Sequence, residues 1–180
     1  MLDITFNDLL KSNASPKTLH KVVDYLRDTD TDVEDLNLEK IIDAIGFQNF
    51  LDDCLPLYLG YKKEFLLFAI WVIDQAQSPL EDIRLRDILD VARRFANGQA
   101  TEDELIIAKV RAGDIVKKSF HSNNLFFTDL AMAVETCTFN LKNWPSYPVR
   151  SAVFYTHRLN NMEDLKKEFI RIFGCNDAKT

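Results

Sequence analysis

Glycine and proline are scarce in this chain. Five of each among 180 residues are too few turn formers for a loop-rich β-sandwich or a disordered linker. The glycines stand alone at 46, 60, 98, 113 and 174, so no glycine-rich loop is present to cradle a phosphate. Long apolar runs are missing as well. The longest, FLLFAIWVI at 65–73, has nine residues, against the roughly 20 that cross a bilayer. The opening MLDITFND carries Asp3 and Asp8 and no apolar run, and reads as no secretory signal. A soluble protein is the expectation. Cys54, Cys137 and Cys175 are odd in number and widely spaced, which favours reduced thiols in a cytoplasm.

Groups that carry chemistry are equally thin. None of His20, His121 and His157 has a second His or a Cys three or four residues away, so no zinc spacing exists. There is no Ser nucleophile elbow, and no paired Glu with Glu-x-x-His for a di-iron centre. A Cys–His pair, with Cys137 for example, would have to be assembled by tertiary structure alone. The expectation is a non-enzymatic protein with no catalytic residues, no cofactor and no metal.

What is present is ordinary apolar content, unevenly placed acid and clear helix punctuation. Hydrophobic residues make up 47% and charged residues 28%, as in a globular domain. The thirteen Phe are expected mostly in the core, where a ring buries more area than an aliphatic side chain. The net charge is −6; residues 1–55 hold twelve Asp or Glu against five Lys or Arg, so the other 125 residues sum to +1. Phosphate binding needs clustered cations, and this balance argues against direct nucleic-acid binding. An acidic end suits a basic protein surface, or simply aids solubility.

Helix signals recur from end to end. Ser15 and Pro16 open a helix whose apolar positions are Leu19, Val22, Val23 and Leu26. Asn37 caps LEKIIDAI, which stops at Gly46. A further helix covers roughly 47–59, with Pro56 kinking or ending it. KKEFLLFAIWVIDQAQ is apolar nearly all round and belongs at the centre of a bundle. Ser78 and Pro79 open the next helix, with a stripe at 85, 88, 89, 92, 95 and 96. Gly98 then ends it with a left-handed cap. In TEDE, Thr101 and Glu104 form a capping box, with acid where the helix dipole is positive. Leu105, Ala108, Ala112 and Ile115 continue the period beyond that turn. Later helices are expected at 125–141, 149–159 and 162–173, the last capped by Asn161. VRSAVFYTHRL is ambiguous between helix and strand. The reading is one all-α domain, a bundle of about nine helices, with an acidic portion 1–55 and a helical core 56–180.

Two stretches are candidate sites. DTDTDVEDLNLE, residues 28–39, places Asp28, Asp30, Asp32 and Glu39 at positions 1, 3, 5 and 12 of a calcium-binding loop. Val33 stands at the sixth position, where that loop needs glycine, and Asp35 at the normally apolar eighth. An acidic connector is therefore favoured over a metal site. Its acid, with Asp24, Asp28, Asp30, Asp32, Glu34 and Asp35, forms a candidate partner-binding surface. The second stretch is NLKNWPSYPVR, where two prolines hold Trp144 and Tyr147 in a loop between helices. Tyr and Trp anchor many interfaces, although rings folded down to seal the core are the stronger expectation.

ITFNDLLKSNASPKTLHKVVDYL and FAIWVIDQAQSPLEDIRLRDILDVARRFANGQATEDEL together resemble all-α immunity proteins of bacterial polymorphic toxin systems. Related helical proteins occur in phages and other mobile elements. Beyond Phe120 this chain departs from them, turning to Phe-rich and proline-containing sequence where many relatives carry alanine-rich helices. The resemblance implies protection by binding and inhibiting another protein, a toxin effector domain or a defence nuclease. It carries no functional residue across. Two alternatives stay open, a metal-regulated helical module and a structural or adaptor subunit of a larger assembly.

Overall fold

A computed structural model of the chain describes residues 4–11, 14–57, 60–76, 82–122, 124–139, 146–157 and 160–174, the side chain of Leu57 excepted. The described residues form ten α-helices and no strand. They are α1 Phe6–Lys11, α2 Pro16–Asp28, α3 Leu38–Ile45, α4 Phe47–Asp53, α5 Lys62–Gln75, α6 Ile83–Ala96, α7 Glu102–Ser119, α8 Leu125–Thr136, α9 Tyr147–Thr156 and α10 Met162–Phe173. The chain is all-α, and its contacts group into two compact units. One joins residues 1–58 to 162–180, and the other comprises 59–161. The final helix therefore groups with the acidic N-terminal portion.

In the first unit, local caps set the helix starts. The Thr18 amide donates to Ser15 Oγ at 3.1 Å, and the Lys40 amide donates to Asn37 Oδ1 at 3.0 Å. Gly46 has φ +86° and both ends α3 and begins α4, a conformation an L-residue adopts only under strain. α2 buries Thr18, Val22 and Leu26; α3 buries Leu38, Ile41, Ile42 and Ile45. Phe169 of α10 meets Phe47 and Phe50 edge-on, at 5.4 and 5.6 Å between ring centroids, and Phe173 at 4.5 Å. Fully buried rings are worth about 1.5–3 kcal/mol each, which is enough to recruit α10 across a long stretch of sequence. The Lys166–Asp43 ion pair adds a polar tie between α10 and α3. Thr18 Oγ1 donates to Asp53, joining the start of α2 to the end of α4.

In the second unit, α5 buries Phe65, Leu66, Phe68, Ala69, Ile70, Val72 and Ile73 and packs against α6, α8 and α9. Its all-round apolar sequence has this purpose. α6 contributes Leu85, Ile88, Leu89 and Ala92, and α7 contributes Leu105, Ala108, Ala112 and Ile115. Gly98, at φ +72°, turns the chain between α6 and α7. Both halves of the capping box are present: the Glu104 amide donates to Thr101 Oγ1 at 3.2 Å, and the Thr101 amide donates to Glu104 Oε2 at 2.8 Å.

Several helix boundaries differ from the sequence reading. α1 was not expected; it is short, and its start is marked by the Thr5 amide donating to Asp8 Oδ2 at 2.9 Å. The described start of α6 is capped by Asp82, whose Oδ1 accepts from the Arg84 amide at 3.0 Å; Ser78 and Pro79 lie outside the described residues. α8 stops at Thr136, five residues short of 141. VRSAVFYTHRL is helical through Thr156, because Val149, Ala152, Val153 and Thr156 share one buried face and tertiary burial outweighs β-branched preference.

Candidate protein-binding surfaces

The acidic connector begins where α2 ends. The Thr31 amide donates to the Leu26 carbonyl at 3.0 Å, closing the helix with a reverse turn at Asp30. Asp30 takes φ +50° there, a region that normally selects glycine. A 3-10 turn, Val33–Asp35, follows and leads into α3. Asp24, Asp28, Asp30, Asp32, Glu34 and Asp35 are all exposed. Arg27 meets Asp24 at 2.9 Å and Asp28 at 3.4 Å, whereas Asp30, Asp32, Glu34 and Asp35 make no ion pair among the described residues. Val33, 52% exposed, sits in the middle of this acid. The six carboxylates are thus exposed within one short stretch of chain, residues 24–35.

The same geometry bears on calcium. Asp28 closes one helix, Asp30 lies in the turn, and Glu39 belongs to the first turn of α3. Among the described residues, no group of three His, Cys, Asp or Glu stands close enough to hold a metal ion.

Trp144 lies outside the described residues, as does Cys175. Tyr147 is not in a loop, as expected from the sequence, but is the first residue of α9, with Pro148 next to it. Proline suits that first turn because its missing N–H would have no partner there. The Tyr147 ring packs edge-on against Phe139 at 5.6 Å, and Lys109 Nζ lies 4.4 Å from the Phe139 centroid. Tyr147 is nevertheless 39% exposed, so it is half seal and half surface.

Neither described cysteine is a nucleophile in waiting. Cys54 and Cys137 are buried; burial pushes the Cys54 thiol up to about 12, with Asp53 adding to the shift, and raises Cys137 as well. A thiol so protonated is a poor attacking group. His20, His121 and His157 are exposed.

One feature was missed in the sequence. α6 and α7 line an open furrow of about 630 Å³, whose apolar lining is Ile88, Val91, Ile107, Ala108 and Ile115. Arg94 crosses one end to Glu104 at 3.2 Å. Toward the other end Asp87, Arg111, Asp114 and Lys118 line the furrow, and none of them forms an ion pair among the described residues. The hydrogen bond from the Thr101 amide, then that from Arg94, hold the Glu104 carboxyl below its usual value. On the outer side of α7, burial raises Glu135 of α8, against the pull of Lys109 and Lys117. The signal was available in LIIAKV, residues 105–110, where Ile106, Ile107 and Val110 are apolar but out of phase with the buried stripe.

No helix among the described residues is long and apolar enough to cross a membrane. Comparison with protein-family models, with curated proteins and with solved structures gave no match.

Proposed function

We propose that this chain is a non-enzymatic cytoplasmic protein that binds and inhibits another protein. Its target is a toxin effector domain or a defence nuclease, as for an immunity-type or mobile-element counter-defence inhibitor. The observation that carries this reading is the acidic segment that runs from the last turns of α2 through the connector to α3. Six exposed carboxylates follow one another there with one arginine between them. Complementary charge raises association rates without requiring a large interface, and nucleases and other nucleic-acid-directed effectors present the basic surfaces that such acid fits. The exposed Val33 gives the acidic segment an apolar point of contact. Tyr147, with Trp144 near it in sequence, is the second proposed contact. Buried thiols without disulfide partners suit a reducing cytoplasm.

The test is differential capture. The wild-type protein and the variant Asp30→Lys, Asp32→Lys, Glu34→Lys are used as baits in the native host at low and high salt. One stoichiometric partner should be held by the wild type, lost by the variant, and released as salt screens the charges. Added to that partner's own activity assay, the wild type should inhibit and the variant should not. Equal capture by both baits, with the variant folded by circular dichroism, removes this surface from the reading. A captured partner whose activity is untouched removes inhibition.

A further inference from the structure

The outward side of α7 carries a pattern that the chain's own packing leaves unused. Inward, Leu105, Ala108, Ala112 and Ile115 are buried. Outward, Asp103, Val110 and Lys117 recur every seven residues, flanked by Ile106 and Ile107 on one turn and Gly113 and Asp114 on another. Ile106 is 58% exposed, Ile107 53% and Val110 62%. Three such side chains leave on the order of 300 Å² of apolar surface, as large as the largest patch on many monomers. Acid at the start of a helix and base at its end are explained by the helix dipole. An exposed aliphatic centre between them is not.

We propose that this face pairs with the same face of a second copy of the chain, the two α7 helices lying antiparallel across a two-fold axis at Val110. A two-fold there exchanges residues equally far to either side of 110. Val110 meets its own copy. Asp103 of each copy meets Lys117 of the other, so the charge pair forms twice. Ile107 of one copy lies over Gly113 of the other, which has no side chain of its own and is flanked by the Glu135 carboxyl of α8, 3.3 Å from where a Cβ would stand. Asp103 and Lys117 form no ion pair among the described residues of the chain itself, although Lys117 stands near enough to Glu135 to pull its carboxyl down. A parallel pairing would instead set Asp103 against Asp103 and align the dipoles unfavourably. Such a self-complementary patch is what an isologous dimer requires. Ile106 falls opposite Asp114 and Ile107 lies beside Glu135, two contacts that are not complementary, and these keep the pairing weak and concentration-dependent. The inference goes beyond the inhibitor reading, and either can hold without the other.

Sedimentation velocity of the full chain, from micromolar to millimolar concentration, tests it. The wild type should pass from monomer to dimer, and Val110→Glu should stay monomeric. Asp103→Lys alone and Lys117→Asp alone should each pair roughly tenfold more weakly, since each places like charges opposite one another twice. Mixing these two single variants should restore the dimer, because both charge pairs across the mixed interface are then complementary. That rescue is specific to the antiparallel register about Val110 and needs only surface substitutions, so it decides the matter even if Val110→Glu fails to fold. A wild type that is monomeric throughout overturns the proposal. So does a dimer unmoved by these charge reversals, or a mixture no heavier than its components.

Discussion

Asp30 is where folding and binding should pull apart. It is the one non-glycine residue of positive φ among the described residues, at +50°, and it sits at the reverse turn that closes α2, held by the 3.0 Å bond from the Thr31 amide to Leu26. The left-handed region costs an L-residue about 1–2 kcal/mol, somewhat less for Asp, whose short side chain bonds locally. Glycine removes that cost but returns part of it through its greater freedom in the unfolded chain. Asp30→Gly should therefore stabilise the protein by about 0.5–1 kcal/mol, with a small further gain from one fewer like charge. For a chain of this size, 1 kcal/mol moves Tm by about 2–4 °C, so the variant should melt about 1–4 °C higher. Asp30→Ala keeps the Cβ and loses the polar side chain, and should melt lower than the wild type. Thermal unfolding of the three proteins by circular dichroism, at fixed moderate salt, gives the order directly. An Asp30→Gly protein that melts below the wild type would refute the reasoning. If the acidic segment steers a partner, the same variant should be more stable yet slower to associate.

Two other stability predictions follow from the second unit. Thr101→Ala removes half of the capping box at the start of α7 and should cost about 1 kcal/mol, read as a lower urea midpoint with unchanged slope; an unchanged midpoint would mean that the cap is not limiting. Asp74 of α5 is partly buried, and burial raises its carboxyl above the ordinary 3.8 even though Arg93 donates to it at 2.8 Å. The folded state then holds this proton more tightly than the unfolded state. Its contribution is present below about pH 3.8 and is lost as pH rises through the raised value, so the ionised group weighs against folding at neutrality. Asp74→Asn keeps an acceptor for Arg93 and should be at least as stable as the wild type at pH 7, with any advantage vanishing below about pH 4. Urea midpoints across that range check it, and a variant clearly weaker at pH 7 would show that the Arg93 pair outweighs burial.

Signals confined to a few neighbouring residues were legible in the sequence. Ser15, Asn37 and Thr101 cap their helices as their sequence contexts predict, because a capping bond spans only two or three residues. α5 was recognisable as a central helix because an apolar surface all round has nowhere else to go. The acidic connector was legible for the same local reason, its charge being consecutive. α1 was not, since six residues give too few turns for a stripe to stand out. Nor was the grouping of α10 with the N-terminal helices. Its ties, such as Lys166 to Asp43 across 123 residues, depend on rings and charges that no local window contains. Tyr147 was misplaced because two prolines read as a loop, whereas the second of them sits in a helix's first turn, where proline belongs.

The outward face of α7 was hidden by a different effect. Apolar positions in a helix are ordinarily read by their best single stripe, and Leu105, Ala108, Ala112 and Ile115 form a good one. Once that stripe is assigned, Ile106, Ile107 and Val110 look like noise, since single exposed aliphatics are common on any surface. Burial separates the two sets: the first is inside, and each member of the second is more than half exposed. Eighteen residues of one helix thus carry two phase-shifted heptad patterns, one spent on the unit's own core and one facing away from it. A sequence satisfied with folding alone would place Lys or Glu at 106, 107 and 110, where both helix propensity and solubility favour them. Three β-branched residues there run against both preferences, and a surface that sacrifices propensity and solubility together is better explained by something that covers it than by chance.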